Sequence, residues 1–152
     1  MTTKDHSLAT ELSPEDIALL AAGVPIGILV SRDGAMRLVA IAHDAVEAYI
    51  GSSAESVTTH DGLVFWFHGS AEIAVNEVAT LNLLAVSGFS SRKVPLLRGV
   101  VLITGRSGGR PDGLTHGQFK ALRRESEPRW WKLWMLHIRV ESDVQRRRSR
   151  RR

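Results

Sequence analysis

Asp33-Gly34 and Asp61-Gly62 constrain this chain more than any other feature of its 152 residues. Each dipeptide splits a pair of apolar runs, in "IGILVSRDGAMRLVAI" and in "AESVTTHDGLVFWFH". Asp-Gly between two such runs signals a β-hairpin, because glycine accepts the positive φ that a tight turn demands. Read as two-residue turns, they also set the register. The first hairpin then carries Ile26, Ile28, Val30, Val39 and Ile41 on one face, with Leu29, Met36 and Leu38 on the other. Both faces are apolar, as expected of strands inside a covered sheet. The second turn sets His60 opposite Leu63, Val57 opposite Trp66 and Glu55 opposite His68.

Helix signals fall between and around the hairpins. In "SPEDIALLAAG" Ser13 is an N-cap, Pro14 takes the first helical position and Gly23 is the stop. "HDAVEAYIG" is a short helix capped by Asp44 and ended by Gly51, and "NEVATLNLLAVSG" a longer one capped by Asn76. "VPLLRGVVLITG" is an apolar strand, "RSGGRPDG" a flexible turn-rich loop, and "LTHGQFKALRRE" a helix opened by a Thr115–Gln118 capping box. The segment "EPRWWKLWMLHIRVES" alternates like a strand at Trp134, Leu136, Ile138 and Val140, yet Trp130, Trp134 and Ile138 also stack at helical spacing. The expectation is a helical or loop start after Pro128 and a strand over 133–140. Residues 36–105 thus read strand, helix, strand, strand, helix, strand, the ferredoxin-like βαββαβ order of an α+β fold. An N-terminal helix and strand and a C-terminal helix/strand extension are added to it. The expected organisation is a flexible leader at 1–12, a single domain at 13–144 and a disordered arginine-rich tail at 145–152.

Hydrophobic residues make up 43% of the chain and charged residues 24%, the balance of a chain able to build a core. The absence of cysteine removes disulfides and thiolate metal sites, which fits a cytoplasmic protein. No apolar run approaches the roughly 18 residues of a membrane span. Residues 1–91 hold 3 Lys+Arg against 11 Asp+Glu, whereas 92–152 hold 17 against 5. That split points the basic half toward an anionic partner.

"YIGSSAESV" is similar to a Val-Gly-Gly, x, Ile-Glu, x, Val pattern following a short helix, and "AVNEVATLNL" to a Pro-Val-Asn-Pro, x, Ala-Thr pattern opening the next. With "LLRGVVLITG" as a closing strand, residues 36–105 resemble a small family of proteins of unassigned function from actinobacteria and their phages. The likeness rests on Gly51, Glu55 and Val57, and on Val75, Asn76, Ala79 and Thr80. Ser52 and Glu77 depart from the family's second glycine and its proline. The resemblance implies a context and no reaction.

Candidate chemistry is sparse. The six histidines form no His-x-x-x-His or Glu-x-x-His pair, so the spacing of a zinc site is missing and no cofactor is expected. The Glu55–His68 pair is an acid/base couple in principle and an ordinary surface pair by default. "GRSGGRP" lacks the lysine and helix start of a phosphate loop, and no Gly-x-Ser-x-Gly motif occurs. No catalytic motif is present, and a non-enzymatic accessory protein is the expectation. Two cationic stretches remain. "RRESEPRWWKLW" interleaves Arg123, Arg124, Arg129 and Lys132 with Trp130, Trp131 and Trp134, a mixture suited to single-stranded nucleic acid. "QRRRSRRR" supplies Arg146, Arg147, Arg148, Arg150, Arg151 and Arg152. Nucleic acid, bound without base preference by charge, is the expected partner, and a membrane is disfavoured because no apolar face accompanies the arginines. The tryptophan cluster is expected to be mostly structural, with Trp134 buried. The competing reading makes the region around Trp130 and Trp131 a protein or oligomer interface, with the arginines incidental.

Overall fold

A computed structural model of the chain describes residues 14–124 and 130–151. In chain order they form α1 (Pro14–Ala21), β1 (Ile26–Val30), β2 (Met36–Ala40), α2 (Ala45–Tyr49), β3 (Ala54–Thr58) and β4 (Val64–His68). Then follow α3 (Glu77–Val86), β5 (Val101–Ser107), β6 (Arg110–Asp112), α4 (His116–Arg124) and α5 (Trp130–Arg150). The class is α+β, with an antiparallel sheet in the order β2-β1-β5-β4-β3 and β6 paired to the far end of β5.

One apolar row crosses all five main strands: Leu38, Ile28, Ile103, Phe65 and Val57 are successive cross-strand neighbours. Side chains alternate between faces along each strand, so this row and its neighbours two residues away share one face. Leu83 and Leu84 of α3, Leu122 of α4 and Leu136 of α5 bury against it, forming the main core. The adjacent row, Arg37, Leu29, Leu102, Trp66 and Ser56, looks the other way. There Leu29, Val39, Ile41 and Leu102 pack with Ala45 of α2 in a smaller second cluster. The sheet therefore carries helices on both faces, with the larger share on the first.

Both Asp-Gly dipeptides lie at hairpin tips, but each loop is one residue longer than the two-residue reading. Ser31 N–H donates to Ala35 O and Gly34 N–H to Ser31 O. Thr59 N–H donates to Leu63 O and Gly62 N–H to Thr59 O in the same way. The loops are thus Arg32-Asp33-Gly34 and His60-Asp61-Gly62, with the glycine at φ 89° and 82° in the left-handed position. One extra residue shifts the register by one and turns a whole strand over. Leu38, not Val39, shares the face of Ile28, and Glu55 faces Phe67 while His68 faces Ala54. The true two-residue turn is Gly108-Gly109, both at positive φ, where Ser107 pairs with Arg110. The expected flexible loop there is a β5–β6 hairpin.

The ferredoxin-like order is not observed. That order would set β2 between β4 and β5, whereas β1 pairs β2 on one side and β5 on the other, leaving β2 at the edge. The strand expected from Val94 begins only at Val101, because Leu97 is engaged elsewhere: its N–H donates to Thr80 Oγ1 and its carbonyl accepts from Asn76 N–H. Asn76 caps α3 as expected, its side chain accepting from Ala79 N–H at 3.1 Å, and Thr115 and Gln118 form the reciprocal capping box. Asp44 precedes α2 without a side-chain cap.

Residues 130–150 correct the sequence reading most. They form one helix, and the strand expected over 133–140 is absent. Leu136, Val140, Asp143 and Arg147, spaced by four, three and four residues, turn inward, which is a helical face. Trp134 lies on the other side and is 61% exposed rather than buried. Arg146, Arg147, Arg148 and Arg150, expected in a disordered tail, continue the helix. Arginine is a good helix former, and cations in a last turn interact favourably with the helix dipole.

Candidate functional site

Buried apolar side chains and hydrogen bonds from arginine dock α5. Leu136 is fully buried in the main core and Val140 packs beside it. Arg139 donates through Nη1 to Ser91 O at 2.8 Å. Burial holds the Arg139 guanidinium below its ordinary pKa, and the neighbouring positive charge of Arg146 adds to that. Finally, Asp143, only 5% exposed, accepts from Arg98 Nη1 at 3.0 Å and Nη2 at 2.6 Å, and from Arg147 Nε at 2.9 Å. Arg98 also donates to Ile73 O. These hydrogen bonds, led by that from Arg98, hold the Asp143 carboxyl below the ordinary aspartate range against the opposing effect of burial.

Asp143 therefore ties the segment before β5 to the arginine-rich part of α5. Arg98, Arg146, Arg147 and Arg150 surround an open cleft of about 240 Å³, with Asp143 at its base and Leu96 in its wall. Glu72 stands 4.0 Å from Arg150, and among the described residues Arg146 has no carboxylate within ion-pair distance. Four guanidinium groups meet two carboxylates here, leaving an excess of positive charge around a concave surface. Such a surface suits an anion with several oxygens, above all a phosphate, which arginine contacts in a bidentate manner.

Of the residues singled out in the sequence, Arg146, Arg147 and Arg150 come together at this cleft. Arg148 and Arg151 are exposed elsewhere at the end of α5. Arg123 and Arg124 end α4, while Trp130, Trp131 and Lys132 open α5, but their side chains lie outside the described set. Arg129 and Arg152 lie outside the described residues. Sequence reasoning missed Arg98 and Asp143. Asp143 carried a signal, an acid four residues before an arginine on one helix, visible only once the segment is read as helical. Arg98 carried none.

The Glu55–His68 couple does not form across the strands; His68 Nδ1 instead accepts from Ser70 N–H at 3.1 Å. Among the described residues no cluster of His, Asp and Glu is arranged to hold a metal ion, and no helix is long and apolar enough to cross a membrane. No protein-family model, no curated protein and no solved structure matches the chain.

Proposed function

We propose that this protein is a non-enzymatic accessory protein that binds nucleic acid, without base preference, through the arginine-rich end of α5. The observation that carries this reading is the cluster of Arg98, Arg146, Arg147 and Arg150 around one cleft, on a helix fastened to the domain by Asp143. Phosphates are the regularly spaced anions that such a cluster suits, and contacts to them carry no sequence information. The motifs around Gly51 and Asn76 support kinship with the small actinobacterial and phage family. A salt titration of binding to a random duplex tests the function. A helix offers fewer arginines at once than a flexible tail, so about three phosphate contacts and a log–log slope near −3 are expected. Replacing Arg146, Arg148, Arg150 and Arg151 together by Gln should weaken binding and flatten that slope by about 1 or more. Unaltered binding by this variant would refute the reading.

A second reading is favoured by the exposure of Trp134 (61%) and Ile138 (45%), one turn apart on α5. Large apolar side chains left in water on one helix face are a feature of protein interfaces. A sedimentation measurement showing self-association that Trp134→Ser abolishes would support it.

A further inference from the structure

The arginines of α5 do not share one face. At 3.6 residues per turn, Arg146 and Arg150 lie about 40° apart around the helix axis, with Arg148 and Arg151 on the opposite half. Only the Arg146/Arg150 side opens on the cleft whose floor is Arg98, Asp143 and Arg147. Both oxygens of Asp143 accept hydrogen bonds from Arg98 and Arg147, so its charge is directed at the arginines of the floor. Arg146 has no ion-pair partner among the described residues, and Arg150 reaches only Glu72, at 4.0 Å with both side chains about 60% exposed. An exposed pair at that distance is worth little and is readily exchanged for a better partner. The positive field is felt nearby, since Arg146 helps to hold Arg139 below its ordinary pKa.

We propose that this cleft is a discrete seat for one backbone phosphate of the bound nucleic acid, gripped by Arg146 and Arg150 with Arg98 and Arg147 behind them, and that Glu72 competes with it for Arg150. The inference rests on the nucleic-acid reading and adds a position to it. The polymer is held at the cleft side of α5, and Arg148 and Arg151 contribute only long-range charge. Because Asp143 fixes the floor arginines, only the exposed Arg146 and Arg150 have to be ordered on binding.

Two double variants of the full chain, each losing the same charge, test the proposal on a random duplex at 150 mM salt. Arg146→Gln with Arg150→Gln should weaken binding about tenfold or more and reduce the log–log salt slope by about 1, the share of one phosphate. Arg148→Gln with Arg151→Gln should weaken it by less than about threefold and leave the slope nearly unchanged. Glu72→Gln should tighten binding, and Glu47→Gln, an acid on α2 outside the cleft, should not. Circular dichroism confirms that each variant is folded. Equal losses in the two double variants, or no gain from Glu72→Gln, would overturn the seat while leaving charge-driven binding intact. A wild-type chain with no salt-sensitive binding at all would defeat both.

Discussion

Asn76 does more than cap a helix. Besides accepting from Ala79 N–H, its amide nitrogen lies within hydrogen-bond reach of the carbonyls of Val30, Ser31 and Gly99, at 3.2, 3.0 and 2.9 Å. It is 2% exposed, and its bonds to the carbonyls of Val30 and Gly99 are buried with it. A lost cap alone costs about 1 kcal/mol. With buried carbonyls left unpaired in addition, Asn76→Ala should cost about 2–4 kcal/mol in chemical denaturation. Asn76→Asp keeps the cap acceptor and loses the donor, so a substantial loss in that variant would assign the effect to the amide nitrogen. Asp143 provides a second test at this scale. Its folded pKa is depressed, so over that window the unfolded chain binds more protons than the native one. The stabilisation is complete above the ordinary aspartate value of about 3.9 and is lost as pH falls through the lower folded value. Asp143→Asn should flatten the acid limb of the stability curve and, by leaving Arg98 without its charge partner, cost about 3 kcal/mol at neutral pH.

At the scale of elements, α5 and the hairpin loops are the decisive cases. Its buried stripe makes Leu136→Ala an expected loss of about 2–5 kcal/mol. Trp134→Ala should change stability by less than about 0.5 kcal/mol, because a mostly solvated side chain leaves no cavity. Thermal unfolding of the two variants checks the helix assignment directly, since a strand over 133–140 would set both residues on one face. The hairpins differ in a similarly measurable way. Gly34 and Gly62 both need positive φ, but a Cβ at Gly34 would stand 2.6 Å from Val78 Cγ2, whereas at Gly62 the nearest atom is Gln118 Nε2 at 3.5 Å. Gly34→Ala should therefore destabilise the protein more than Gly62→Ala in denaturant titration.

Across the whole molecule, the division between an acidic first part and a basic second part is not a division in space. Glu72, Glu77 and Ser91 of the first part all contact α5: Glu72 through Arg150 at 4.0 Å, Glu77 through His137 at 3.4 Å and Ser91 through Arg139. A chain stopped after Val144 would lose Arg147 as well as the exposed arginines. It should melt at a lower temperature than the full chain, so charge substitutions are the cleaner probe of binding.

Local chemistry alone determined where the chain turns and which segments alternate between strand and helix over 26–86. Asp-Gly, the Asn76 cap and the Thr115–Gln118 box are short-range features, complete within a few residues. Three things were left to tertiary structure. Loop length at the two Asp-Gly turns depends on one hydrogen bond across each strand pair, and it decides which side chains share a face. The strand order depends on β1 pairing with β5, a contact between residues more than 70 positions apart that no local signal encodes. The form of residues 130–150 was open because their apolar spacing satisfies both periods. The helix is selected by a core that receives Leu136 and Val140 and by Arg98, which meets Asp143 only in the folded chain.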